Sequence, residues 1–275
     1  MDNENMRKRN YDGKHIAGGR TGKTGGESVK TPAFLAVMLW VFALAFAASA
    51  VMAASEYIRG EREQAKFDSL ADKMAQSGAA ESNGGYGGVY GENSDMAGWI
   101  TVENTNINYP VMYTPYDPEY YLYRGFDKTE SKSGSLFIGE GGDIDSGCFI
   151  VYGHNMKNGT MFGTLDYYED ENFYKENPLI TVTTLGQIRT YEVFAAVKTR
   201  VLYNDEDGFR YYYQSGRLTE DSFYRLTGWL TENSLYKTES APEYGSQIVM
   251  LSTCSYDTDN GRFVVAAALK DVKNK

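Results

Sequence analysis

Residues 247–269 read QIVMLSTC (247–254), SYDTDNG (255–261) and RFVVAAAL (262–269). Two runs rich in Val, Ile, Leu and Ala flank seven residues whose Asp and Asn-Gly content marks a turn. Together they predict two β-strands closed into a hairpin. Cys254 ends the first strand and Arg262 opens the second, so the hairpin places a thiol and a guanidinium on either side of one mouth. A second apolar run, CFIVY (148–152), leads into Gly153-His154-Asn155 and predicts another strand with a histidine just past its end. Residues at strand ends are held by a rigid sheet and face clefts.

The rest of the chain confines the chemistry to these residues. Among 275 residues there are two Cys, Cys148 and Cys254, and two His, His15 and His154. That scarcity excludes a disulfide-rich scaffold and a four-Cys zinc site. The composition is 42% hydrophobic and 14% aromatic, enough for a full core. A net charge of −10 argues against a nucleic-acid partner, which requires a basic footprint.

Residues 33–54 read AFLAVMLWVFALAFAASAVMAA, without a charge. About 20 such residues span a bilayer core as a helix. Ala48-Ser49-Ala50 is a small-residue cleavage site of the A-x-A kind, but the apolar run continues past it, which favours an uncleaved anchor. Residues 1–30 hold seven of the 27 cations and four of the 37 acids, so the tail carries +3 and the remainder −13. The positive-inside rule puts this tail in the cytoplasm and the acidic part outside. The expected organisation is a cytoplasmic basic tail (1–32), a transmembrane anchor (33–54), a helix with a Gly-rich linker (55–95) and an extracellular domain (96–275). His15 then falls in the cytoplasm, leaving His154 as the histidine of the exterior.

Eight short segments carry β-forming residues: Gly98–Val102, Ile107–Met112, Ser135–Ile138, Cys148–Tyr152, Leu179–Thr183, Tyr191–Thr199, Gln247–Ser252 and Arg262–Leu269. About eight strands in this length fit a mainly β fold, a closed barrel or a sandwich. One helix is expected before the last two strands, over Leu218–Tyr236. Leu218, Phe223, Leu226, Trp229 and Leu230 share a stripe there, and Thr219 is its N-cap. Shorter helical stretches are expected at Ser55–Gln76 and Thr160–Tyr168. Ser77–Asn93, loaded with Gly and Ser, reads as a flexible linker. The 23 tyrosines read as amphipathic filling of a wet β surface.

A Cys, a His and an Arg suit acyl transfer. The thiolate is the nucleophile and needs a neighbouring cation to form. His154 has the chemistry to supply that charge and then to protonate a leaving amine. Arg262 does not act as a base, but it donates well to an oxyanion or a substrate backbone. Two other readings stay open at this level. One is a cysteine protease or hydrolase in which water resolves the thioester. The other is a non-catalytic surface domain stapled by a Cys148–Cys254 disulfide, although Cys148, inside an apolar strand, reads as a buried small hydrophobe.

Leu251-Ser252-Thr253-Cys254 followed by Arg262-Phe263-Val264-Val265 resembles the signature of sortases, the cysteine transpeptidases of Gram-positive cell surfaces. That family ends a strand with Thr-Leu-x-Thr-Cys and opens the next with Arg; here Met250 stands at the first position. Tyr152-Gly153-His154 is similar to the family's histidine segment. The likeness covers roughly Met96 to Lys270, and the helices at 55–76 and 218–236 resemble those of class B. The resemblance implies a closed eight-stranded sortase-type β-barrel. It implies Cys254, His154 and Arg262 as catalytic residues, with Ser252 and Thr253 lining the groove for a sorting motif. The implied partners are secreted proteins bearing a C-terminal sorting motif and an amine of the peptidoglycan precursor or cross-bridge, or a pilin Lys. No cofactor and no metal site is implied, and the acidic pairs read as turns and solvated surface.

Overall fold

The computed structural model describes residues 33–76, 84–255 and 257–275. The chain divides into two compact units, Met1–Ala53 and Ala54–Lys275. Helix α1, Ala33–Gln76, contributes to both. In the first unit Phe34, Trp40, Phe42, Leu44 and Phe46 all stand exposed. Among the described residues, α1 is the one helix long and apolar enough to cross a membrane. The stretches expected as a separate anchor and a following helix are thus one uninterrupted element.

The second unit is a closed barrel of eight strands: β1 (Met96–Val102), β2 (Asn108–Met112), β3 (Leu136–Ile138), β4 (Cys148–Tyr152), β5 (Leu179–Thr183), β6 (Gln187–Arg200), β7 (Ile248–Cys254) and β8 (Gly261–Asn274). Their spatial order is β1-β2-β3-β4-β7-β8-β6-β5. The β2–β3 and β4–β7 pairs are parallel and the others antiparallel. All eight expected strands form. The largest boundary differences are in β6 and β8, which run on through polar residues whose side chains on β8 are exposed. Backbone pairing between the two strands carries them beyond the apolar stretch that is visible in the sequence.

The unbroken apolar character of β4 and β7 has a direct cause: both faces of these strands are buried. One face looks into the barrel, where Phe149, Val151, Val249, Leu251, Phe263 and Val265 pack. The opposite face, with Ile150, Ile248, Met250, Val264 and Ala266, lies under helix α4, Glu220–Glu232. Thr219 caps α4, accepting from the Ser222 amide. Phe223, Leu226 and Leu230 are its buried stripe, each contributing about 1.5–3 kcal/mol by leaving water. The helix stops four residues short of the expected Tyr236. The chain there turns to pair with β6, through the Val197–Ser234 bridge and Leu235 N donating to Ala196 O.

Three local expectations differ from the fold. The Gly-rich stretch is not wholly a linker: residues 84–92 form helix α2, Gly84–Glu92, while 77–83 lie outside the described residues. Tyr86 and Val89 are buried, and the Tyr86 hydroxyl donates to Ala97 O at 2.9 Å. A Cβ on Gly85 would run into the backbone of Lys73 and Met74, so glycine serves close helix approach rather than flexibility. The Thr160–Tyr168 segment forms turns and then a 3₁₀ turn at Leu165–Glu169, followed by the unanticipated helix α3, Glu171–Glu176. The tyrosines are not all surface filling. Tyr86, Tyr109, Tyr121, Tyr168, Tyr191 and Tyr211 are fully buried, and each hydroxyl has a hydrogen-bond partner.

Candidate active site

Strand alternation puts Ser252 and Cys254 on one face and Thr253 on the other. Ile248, Met250, Ser252 and Cys254 follow period two along β7, and Cys148, Ile150 and Tyr152 do so along β4. The register pairs Cys254 with Arg262 across the β7–β8 hairpin. This is the barrel face that α4 covers over much of its length. Near the strand ends a cleft of about 890 Å³ opens on it, lined by Tyr152, His154, Tyr211, Tyr212, Cys254 and Arg262 among others. Ser252 and Thr253 line it as well. All five residues singled out from the sequence are therefore brought together.

They differ in accessibility. Cys254 and Arg262 are partly exposed, while Ser252 and Thr253 are 1% and 2% exposed. The Ser252 hydroxyl is 2.9 Å from that of Tyr211, and Thr253 Oγ1 donates to Gly153 O at 2.8 Å. Both hydroxyls thus tie the cleft floor to its surroundings. Tyr211 belongs to a 3₁₀ turn at Tyr211–Tyr213 and stacks on Trp229 of α4, ring centroids 6.1 Å apart and planes within 8°. Burial pushes its phenol up to about 12, so it stays neutral at physiological pH. The inserted helix thereby builds one wall of the cleft through Trp229 and Tyr211.

His154 stands opposite. Its Nε2 lies 2.9 Å from Leu122 O. A carbonyl oxygen only accepts, so Nε2 carries a proton and Nδ1 is the nitrogen left to exchange one. The Tyr123 ring lies beside the imidazole, centroids 5.4 Å apart. The Leu122 carbonyl lies against a glycine: Gly134 has φ +60°, and a Cβ there would run into Leu122 O and Tyr121 O. Gly134→Ala is expected to cost about 2 kcal/mol through left-handed strain and crowding. That corresponds to roughly 4–8 °C in Tm for a domain of this size. The turnover of the variant should fall as well, because the imidazole loses its acceptor. A melt and a kcat both matching wild type would refute this role for Gly134.

Asn155, for which no role was read from the sequence, is buried behind His154. Its Nδ2 donates to Asp166 Oδ2 at 2.8 Å and to Cys254 O at 3.0 Å. Tyr211, Trp229 and Leu122 were also not singled out. The only local signal was the aromatic run Phe209-Arg210-Tyr211-Tyr212-Tyr213 ahead of the amphipathic helix.

The second cysteine is elsewhere. Cys148 opens β4 opposite Ile248, six residues before Cys254 along β7, or about 20 Å at strand rise. A disulfide needs Cα atoms within about 7 Å. Both cysteines are free, so the proposed staple does not form. Cys148 is wholly buried, and burial pushes its thiol up to about 12. Among the described residues, no group of three or more His, Cys, Asp or Glu side chains is placed to hold a metal ion.

The Sortase domain family model matches residues 100–270, more than half of the chain. The chain belongs to the sortase family, in class B. It is 28% identical over 184 residues to sortase B of Listeria monocytogenes, covering 64% of this chain and 70% of that one. A crystal structure from Bacillus anthracis described as similar to sortase B shares 30% identity and a TM-score of 0.63, covering 76% of this chain and 96% of the other. The sortase B–substrate complex of Staphylococcus aureus, at 23% identity, shares the fold with a TM-score of 0.66, covering 78% and 99% of the two chains. This sortase is accordingly a cysteine transpeptidase with the eight-stranded barrel of class B.

Proposed function

We propose that this sortase is membrane-anchored, with residues 1–32 cytoplasmic, 33–54 spanning the bilayer and 96–275 outside. There it joins secreted proteins to a cell-wall amine. The observation that carries this reading is the shared cleft of Cys254, His154 and Arg262, with the thiol and the guanidinium at one rung of the β7–β8 hairpin.

In the proposed cycle, the Cys254 thiolate attacks the carbonyl carbon of a Thr in a C-terminal sorting motif. Arg262 donates to the resulting oxyanion or to the motif backbone. Its Nη1 donates to Gly261 O at 2.9 Å and to Asn260 O at 3.5 Å, which pins the guanidinium at the strand start. Among the described residues Nε and Nη2 have no protein acceptor, and they are the groups to meet substrate. The His154 imidazolium gives its proton to the leaving amine as the C–N bond breaks, producing a thioester. An amine of the peptidoglycan precursor or cross-bridge, or a pilin Lys, then attacks the thioester carbonyl. His154 takes the proton from that amine, the C–S bond breaks, and an amide forms with the thiolate restored.

A fluorescent Asn-Pro-x-Thr-type peptide, supplied with and without an amine acceptor, tests this. The expected product with acceptor is the amine-ligated peptide. Hydrolysed peptide alone, at saturating amine, would replace the transpeptidase reading by a hydrolase. Arg262→Lys keeps the charge but loses the planar fork, and it is expected to lower kcat/KM by about 10²-fold, as for loss of one oxyanion donor. Undiminished kcat/KM in this variant would remove Arg262 from the transition state.

A further inference from the structure

His154 and Cys254 both lie beyond the last rung shared by their strands. The β4–β7 ladder ends at Tyr152 opposite Ser252. Two bonds follow it, Gly153 N to Ser252 O at 3.3 Å and Thr253 Oγ1 to Gly153 O at 2.8 Å. Past these, among the described residues, the Asn155 amide ties the histidine segment to Cys254 through its bond to Cys254 O. Asn155 is 8% exposed and does not line the cleft, so it acts without touching substrate.

Asp166 decides which way that amide points. An Asn side chain has a donor end and an acceptor end. Only the donor end satisfies a carboxylate and a main-chain carbonyl together, and Nδ2 bonds both. Asp166 sits on the 3₁₀ turn Leu165–Glu169, half-buried. Burial raises its pKa while the Asn155 bond pulls it down. The same turn reaches the other side of the hairpin mouth. Glu169 and Asp257 share the Lys198 ammonium of β6, at 2.7 and 2.8 Å. The turn therefore reaches the catalytic hairpin at two places through intermediaries, by Asn155 at the Cys254 carbonyl and by Lys198 three residues later at Asp257.

We propose that Asn155, oriented by Asp166, is a positioning residue that holds the Cys254 main chain at a set separation from His154. This rests on the reading of Cys254 and His154 as nucleophile and acid–base. Proton exchange between an imidazole and a thiol needs hydrogen-bond reach, and a misplacement of about 1 Å costs on the order of 10²-fold in rate. Asn155 follows His154 directly, so its tether acts on the histidine's own backbone.

The test compares wild type, Asn155→Ala and the swap Asn155→Asp/Asp166→Asn. Its readouts are kcat and KM on the sorting peptide, Tm, and the rate of Cys254 alkylation by iodoacetamide in a Cys148→Ala background. Asn155→Ala is expected to lower kcat by about 10–100-fold, to leave KM nearly unchanged and to alter the alkylation rate. The swap rebuilds the 155–166 bond with its direction reversed, so Tm should recover. It leaves the Cys254 carbonyl without that donor, so kcat should stay low. Recovery of kcat together with Tm would show a merely structural role and overturn the proposal, as would an unchanged kcat in Asn155→Ala. The alkylation rates report on positioning without any peptide. Wild-type protein that alkylates at Cys254 but joins no peptide to an amine would overturn the functional reading, while its variants still test the tether.

Discussion

Cys254→Ala is expected to abolish both peptide cleavage and amine ligation, whereas Cys148→Ala should leave turnover close to wild type. The two thiols differ in exposure and in surroundings. Cys254 sits at the end of β7, partly exposed, in a cleft with His154 and directly opposite Arg262. Cys148 sits at the far end of β4, wholly buried, with its thiol pushed up to about 12 by burial. The thiolate is the reactive species, and a thiol of that pKa supplies almost none near neutral pH. Removing the Cys148 sulfur leaves a small void in the layer beneath α4, with an expected cost of about 1 kcal/mol. A peptide-cleavage assay with mass analysis of the acyl-enzyme checks the pair. Thioester on Cys148, or ligation surviving in Cys254→Ala, would defeat the assignment.

The second large effect is expected from His154→Gln. Glutamine retains a side-chain donor for Leu122 O, now 2.9 Å from His154 Nε2, but it has no ionisable nitrogen. The variant should fold with a Tm near that of wild type and lose about 10²–10⁴-fold in kcat/KM, the span of general acid–base catalysis. The loss has two sources. Nδ1 no longer delivers a proton to the leaving amine, and no imidazolium favours the Cys254 thiolate. Iodoacetamide labelling of Cys254 separates them, since it needs the thiolate but no proton delivery to a leaving group. Labelling should slow by less than peptide ligation does. Ligation at the wild-type rate would remove His154 from the mechanism.

The hairpin that organises the site was legible because its signals are local. Two apolar runs rich in Val, Ile, Leu and Ala and the Asp-Asn-Gly loop between them set Cys254 and Arg262 on neighbouring strands, and the register places them opposite each other. The apolar runs of β4 and β7 announced burial on both faces, and Thr219 announced the start of α4. What was not legible depends on partners distant in sequence. Helix α2 has a glycine-rich sequence with poor intrinsic helix propensity, and it is held by Tyr86 and by the close approach of Gly85 to α1. Tyr211 looks like an ordinary surface aromatic until α4 folds over the barrel and stacks Trp229 on it. Asn155 looks like a turn residue until Asp166, 11 positions on, and Cys254, 99 positions on, converge on its amide.

By itself the sequence determined the apolar segment, the eight strands, the capped helix and the scarcity of histidine and cysteine, because residue type and spacing encode periodicity and charge directly. Only the tertiary structure decided which cysteine shares a cleft with His154, which nitrogen of that histidine is free to exchange a proton, and which side chains hold the strand ends in place. Those properties arise from the parallel pairing of β4 with β7, about a hundred positions apart, from the Leu122 carbonyl, 32 positions before His154, and from the Asn155 bond to Cys254, 99 positions on. No local pattern of residues records such contacts.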